Sequence, residues 1–138
     1  MNSEFTIAVH SLVYLAYLPE KMASSDMISD NVRTHSARVR KVMSALRKGG
    51  FVETREGSGG GYRLTLDPDS VTLADIYRVM AQGSLIPSWC SGSPEMDCVV
   101  GSNMNQVMFG IFCQAEKQLE EHFRGITISD VLKQIHAC

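Results

Sequence analysis

No stretch of the chain approaches the roughly 18 uninterrupted apolar residues of a membrane-spanning helix, so no membrane partner is expected. The first apolar segment, Phe5 to Leu18, carries His10, follows Glu4 and lacks a basic start, which argues against a signal peptide. Both absences predict a cytoplasmic protein. Cysteine is sparse, with four residues at positions 90, 98, 113 and 138. In a reducing compartment these point to metal, redox chemistry or packing before structural disulfides. Catalytic signatures are missing as well. There are no paired carboxylates, no Ser-His-Asp set and no zinc-binding HExxH, and the histidines are scattered at 10, 35, 122 and 136. No enzymatic activity is expected. His136 and Cys138 supply only two donors, too few for a metal site.

Positive charge is also lacking overall, since 13 Lys and Arg stand against 15 Asp and Glu. The net value hides a segregation. Between Arg33 and Arg63 there are eight Lys or Arg against Glu53 and Glu56, so this segment carries +6 and the remainder −8. A positive stripe on an acidic chain is the footprint of a nucleic-acid binder, with the acidic part discouraging wrong contacts.

That segment has a legible plan. Val39, Val42, Met43 and Leu46 recur at the spacing of a buried helical stripe. The opposite face centres on Ala37, Lys41, Ser44 and Lys48, flanked by Arg38 and Arg40. Long cations reach phosphates, and short Ser and Ala let the backbone approach base edges. Ser24 or Ser25 caps a preceding short helix with Met27 and Ile28 inward. Thr34 to Ser36 makes the turn, with Thr34 or Ser36 as the next cap. Two short helices joined this way form a helix-turn-helix. Gly49 is the expected left-handed stop. A strand from Phe51 to Arg55, a flexible tip of Gly57-Ser58-Gly59-Gly60-Gly61, and a strand alternating Tyr62, Leu64 and Leu66 inward complete a wing. Arg55 and Arg63 flank its tip. The glycine run lacks the lysine and following helix of a nucleotide loop. The predicted DNA-binding set is Thr34, Ser36, Ala37, Arg38, Arg40, Lys41, Ser44, Lys48, Arg55, Gly59, Gly60, Tyr62 and Arg63, with Ser36, Ala37 and Arg40 reading bases.

Thr72 and Asp75 make a capping box for a helix to about Gln82. Residues 83–102 read as a loop containing Cys90 and Cys98. From Asn103 to Arg124 a helix lines up Met104, Val107, Met108, Ile111, Phe112, Ala115, Leu119 and Phe123 over roughly 30 Å. That exceeds what a small winged helix needs, and the surplus predicts pairing with a second copy. Ser129 caps a last helix to Cys138. The expected fold is therefore α+β, mostly α: a winged helix-turn-helix (1–82), a cysteine-containing sensor loop (83–102), and a dimerisation helix with a C-terminal helix (103–138). The predicted function is a homodimeric regulator that binds double-stranded DNA. A winged-helix protein-interaction module without DNA binding is the rival reading.

AVHSLVYLA in the first helix, VRKVMSALRKGGFVETREGSGGGYRL through the wing, and LADIYRVM in the fourth helix resemble the bacterial winged-helix regulators that include the iron–sulfur cluster regulator, the nitric-oxide-sensing repressor and the cysteine-metabolism repressor. The resemblance covers essentially the whole chain and implies a homodimer joined through the long helix on pseudo-palindromic promoter DNA, where the expected role is that of a repressor. In many members, cysteines before that helix hold an iron–sulfur cluster; others act as thiol-based or partner-dependent sensors. Here the matching third cysteine position, near Met104, is not cysteine, and the place of an acidic ligand in the first helix looks like Thr6. A cluster needs four donors, so no cofactor is expected. Cys90 and Cys98, as a pair or with Cys98 alone, become candidate redox sensors. Glu95 and Asp97 are expected to raise the Cys98 pKa, and Cys113 and Cys138 to be buried packing residues.

Overall fold

The computed structural model describes residues 3–137; Cys138, with the packing and metal roles considered for it, lies outside them. The apolar stripes dictate the layout. The first helix, α1 (Ser3–Tyr17), is apolar nearly all round and sits at the centre, packed most closely against four other helices. A two-residue strand β1 (Met22–Ala23) follows, then α2 (Ser25–Val32) and α3 (Ser36–Lys48). Strands β2 (Val52–Arg55) and β3 (Gly61–Leu64) form the wing. After it come α4 (Leu73–Met80), α5 (Val99–Arg124) and α6 (Ile128–His136). The strands form one antiparallel sheet in the order β1-β3-β2. The mostly helical winged-helix architecture is as the sequence predicts, apart from β1.

Local expectations need five corrections. Met27 is largely exposed, and only Ile28 of α2 is buried, because α2 presents a narrow stripe to α1 and α3. The N-cap of α3 is His35, without a side-chain cap bond, rather than Thr34 or Ser36. The left-handed residue after α3 is Gly50, at φ 84°, while Gly49 remains right-handed. Leu66 lies beyond the end of β3 and is exposed, since pairing stops at Leu64. Finally, Thr127 caps α6, not Ser129: its hydroxyl accepts from the Asp130 amide and the Asp130 carboxylate accepts from the Thr127 amide. These bonds hold the Asp130 carboxyl below its ordinary pKa.

The predicted Thr72–Asp75 box is formed on α4. The two boxes lie side by side. Leu73 N–H donates to Ile126 O at 2.8 Å and Ile128 N–H to Val71 O at 3.0 Å, so α4 and α6 start from one bridged point. The core joins Ala8, Leu12 and Leu15 of α1 to Val39, Val42, Met43 and Leu46 of α3 and to Ile76 and Tyr77 of α4. Phe5 stacks on Phe123 at 5.3 Å and meets the Tyr77 ring edge-on at 5.7 Å.

That ring cluster anchors only the far end of α5. Leu119 and Phe123 pack on the core, and Glu116 accepts from the Tyr77 hydroxyl at 2.6 Å and the Gly83 amide at 2.7 Å. Burial, and then Glu116 as acceptor, raise the Tyr77 pKa. No residue of α5 is fully buried. Val99, Val100, Met104, Val107, Phe109 and Ile111 all stand exposed. The helix also begins four residues earlier than expected, at Val99, because Gly101 and Ser102 continue it despite their loop-forming character.

Candidate nucleic-acid interface

The α3 face opposite the core is open. Ala37, Arg38, Arg40, Lys41 and Lys48 are exposed, while Thr34, Ser36 and Ser44 are half-buried at its border. Helical periodicity forces this, since the same turns that bury Val39, Val42, Met43 and Leu46 turn the cations outward. The last turn carries Arg47 and Lys48, which suits the negative end of the helix dipole.

Two cations are already engaged. Lys41 Nζ donates to Glu4 Oε1 at 2.9 Å, and the Arg38 guanidinium donates to Ser3 Oγ. The start of α1 therefore lies beside the cationic face. Sequence reasoning missed Ser3 and Glu4, because they sit over thirty residues from their partners and no local spacing marks them. The ion pair is a surface one, with the Lys41 side chain 73% exposed, so it contributes at most about 1 kcal/mol. It neutralises Lys41 without hiding it.

The wing is held edge-on by its register. Arg55 pairs with Gly61, Thr54 with Tyr62 and Glu53 with Arg63, and Tyr62 also faces Ala23 of β1. Arg55 and Arg63 lie exposed near the tip and share one acid: Glu53 Oε1 is 3.9 Å from Arg55 Nε and 3.6 Å from Arg63 Nη1. Gly59 is exposed at the apex and Gly60 half-buried next to it. A side chain on Gly60 would press on the Arg55 carbonyl, so the tight tip requires glycine there. The structure thus puts the α3 cations on one open helix face and Arg55, Gly59, Gly60 and Arg63 on the exposed wing that follows it.

The cysteine region differs from expectation. Cys98 is the N-cap of α5, not a mid-loop residue. Hydrogen bonding from the Gly101 amide, then from Val100, holds its thiol below the ordinary pKa, so the raising effect foreseen from Glu95 and Asp97 is overturned by the helix start. Cys90 is exposed, and Cys113 is half-buried rather than packed in the core, since α5 has no fully buried position. The loop folds back on that helix start: Ser93 N–H donates to Gly101 O at 3.1 Å.

The described donors of one chain do not by themselves assemble the four ligands of an iron–sulfur cluster. Among the described residues no three His, Cys, Asp or Glu converge on a metal position. Cys98 and Cys113 are both on α5, 15 positions apart, which places them about 22 Å apart along the axis. No helix among the described residues is long and apolar enough to cross a membrane.

Known proteins resemble this chain in sequence and in fold. The Bacillus subtilis protein YwgB is 33% identical over 137 residues, covering 98% of this chain and 85% of that one. A solved structure from Lactobacillus plantarum superposes with a TM-score of 0.86 at 22% identity, covering 99% of this chain and 91% of that one. The IscR of T. potens superposes with a TM-score of 0.72 at 24% identity, covering 98% and 87%. The sequence profile of the Rrf2 family, described as "Iron-dependent Transcriptional regulator", matches residues 1–134. Regulators of this family bind DNA; they are not enzymes. With a profile match over nearly its whole length and a winged helix whose cationic face lies open, the chain belongs to the Rrf2 family of transcriptional regulators.

Proposed function

We propose that the protein is a homodimeric repressor that places α3 in the major groove of promoter DNA and the wing along the adjacent minor groove. The observation that carries this reading is the α3 face itself: five exposed positions, four of them cationic, beside a glycine-tipped wing with two exposed arginines. Ser36, Ala37 and Arg40, near the amino end of α3, read bases; Lys41, Lys48, Arg55 and Arg63 hold phosphates. Dimerisation through α5 supplies the second half-site.

The test is selection from a pool of random 30-bp duplexes. A two-fold symmetric consensus is expected, with half-sites about 10 bp apart or a multiple of that. Failure to enrich any duplex, or an unsymmetrical consensus, would remove the reading.

The Glu4–Lys41 pair gives a sharper expectation. Lys41→Ala should weaken DNA binding across sequences and reduce the slope of log K against log salt by about one unit. Glu4→Gln should do the reverse, strengthening binding about threefold at low salt, because Lys41 no longer has to leave an internal partner. Fluorescence anisotropy at several salt concentrations measures both. An unchanged slope in Lys41→Ala would take that residue out of the interface.

Control by a thiol completes the proposal. Cys98 is exposed, occupies the N-cap position of α5 and has a lowered pKa, which favours the thiolate that reacts with peroxide or a disulfide. Cys90, also exposed and in the loop that ends at Cys98, is the candidate resolving thiol. The pH profile of iodoacetamide labelling at Cys98 should have its midpoint below the roughly 8.5 of a free cysteine. Peroxide should alter DNA affinity in the wild type and leave Cys98→Ser unaffected. Equal sensitivity in the two proteins would exclude Cys98 as the sensor.

A further inference from the structure

A cavity of about 570 Å³ lies between α1, α2 and α6. None of its lining residues belongs to α3, the wing, α5 or the cysteine loop. Its volume falls within the range of small-molecule pockets, about 300–1,000 Å³. Val9, Val13, Leu132 and Ile135 contribute apolar wall. Thr6, Tyr14 and Tyr17 add hydroxyls to the lining, and His10, Asn31 and His136 add its nitrogen-bearing groups. His10 Nε2 lies 2.8 Å from Asn31 Oδ1, joining α1 to α2, and the Tyr17 ring meets His136 edge-on at 6.1 Å.

The chemistry of the lining restricts the occupant. None of the eleven lining residues carries a carboxylate, an ammonium or a guanidinium group. A cation would lose hydration here with no carboxylate to compensate, and an anion would meet no permanent positive charge, which is costly in either case. An apolar molecule gains by leaving water, and the imidazole and amide at one side can orient a single polar substituent. The exposed apolar seam of α5 is a separate feature, since none of its residues lines this space.

We propose that this cavity binds a small, uncharged, largely apolar molecule, with its one hydrogen-bonding group at the His10–Asn31 pair. The occupant lies against α2, the first helix of the helix-turn-helix. It is therefore placed to act on the DNA-binding unit without touching the DNA face.

The probe is N-phenyl-1-naphthylamine, an uncharged amine whose fluorescence rises on leaving water, titrated into the full chain. Saturable binding at about one per chain is expected. Ile135→Trp fills the cavity from a position that is 53% exposed, so the core is left intact; it should weaken binding about tenfold or more. Val9→Trp should do the same, and Ile135→Trp decides should Val9→Trp fail to fold. A Val107→Asp, Ile111→Asp variant, altered on α5 alone, should bind as the wild type does. No saturable binding would overturn the proposal, as would binding indifferent to Ile135→Trp. Binding that appears only in the α5 variant would also overturn it, because a second copy would then fill the cavity. DNA is absent from every arm, so the result is independent of whether the repressor reading holds.

Discussion

A Val107→Asp, Ile111→Asp variant is expected to sediment as a monomer and to lose affinity for a symmetric operator about a hundredfold or more. Val100, Met104, Val107 and Ile111 follow one another at spacings of four, three and four, the seam pattern of a helix that pairs with another helix. In the single chain all four are exposed, Val107 and Ile111 each by 55%. Burying a Val or Ile side chain stabilises by about 1.5–3 kcal/mol when complete. Two such residues, counted on both protomers and already partly covered, still amount to several kcal/mol. Aspartate forfeits that gain and adds the cost of desolvating four carboxylates. DNA binding should fall with dimerisation, since one protomer engages one half-site and loses the advantage of a linked second contact. The rest of the fold should be untouched, because the anchoring residues Leu119 and Phe123 lie two or more turns further along α5. Sedimentation velocity and circular dichroism would check both halves of the expectation. A variant that remains dimeric would mean that the seam is covered by something else and that the second half-site comes from a different contact.

Much of this arrangement is legible in the sequence because it depends on periodicity. Val39, Val42, Met43 and Leu46 are all fully buried, and one helical period fixes both that and the outward cations. The Thr72–Asp75 box and the glycine tip are equally local signals. What escapes has a common cause: the partner lies far along the chain. Strand β1 is two residues long, too short for any alternation, and exists only because Ala23 and Met22 pair with Tyr62 and Arg63. Glu4 is an ordinary first-turn acid until folding places Lys41 beside it. Cys98 illustrates a different limit. Its neighbours Glu95 and Asp97 suggest one direction for the thiol, but the start of α5 at Val99 turns two amides toward it and reverses the sign. The exposed seam of α5 shows a third limit. The sequence groups Leu119 and Phe123 with Val107 and Ile111 as one apolar stripe, and only the three-dimensional packing shows that the first pair is occupied while the second is open.

Gly61→Val should produce the largest loss of stability of any single wing substitution, about 3 kcal/mol or more, and should reduce DNA binding beyond what unfolding explains. Gly61 is the first residue of β3 and has φ 151°, a conformation that L side chains rarely adopt. Holding a non-glycine residue there costs about 1–3 kcal/mol. Space is lacking as well: a β-carbon would press into the Ala23 carbonyl and lie 2.8 Å from the Ser24 Cα. Neither neighbour can step aside. Ala23 is part of β1, and Ser24 is the N-cap of α2, its hydroxyl accepting from the Met27 amide at 3.1 Å. The strain therefore has two outlets, the β1–β3 pairing or the start of α2. Either one alters how the wing is set against the helix-turn-helix, and in the proposed complex the spacing between α3 and the wing has to let both meet adjacent grooves. Gly59→Val provides the contrast. Gly59 also has a positive φ, 77°, but nothing lies within 4 Å of the added carbon, so its cost should stay near the backbone strain alone. Denaturant titration gives the two stabilities, and anisotropy at a temperature where both variants are folded gives the two affinities. Equal losses for Gly61→Val and Gly59→Val would show that β1 does not brace the wing and that its contact with β3 is dispensable for DNA recognition.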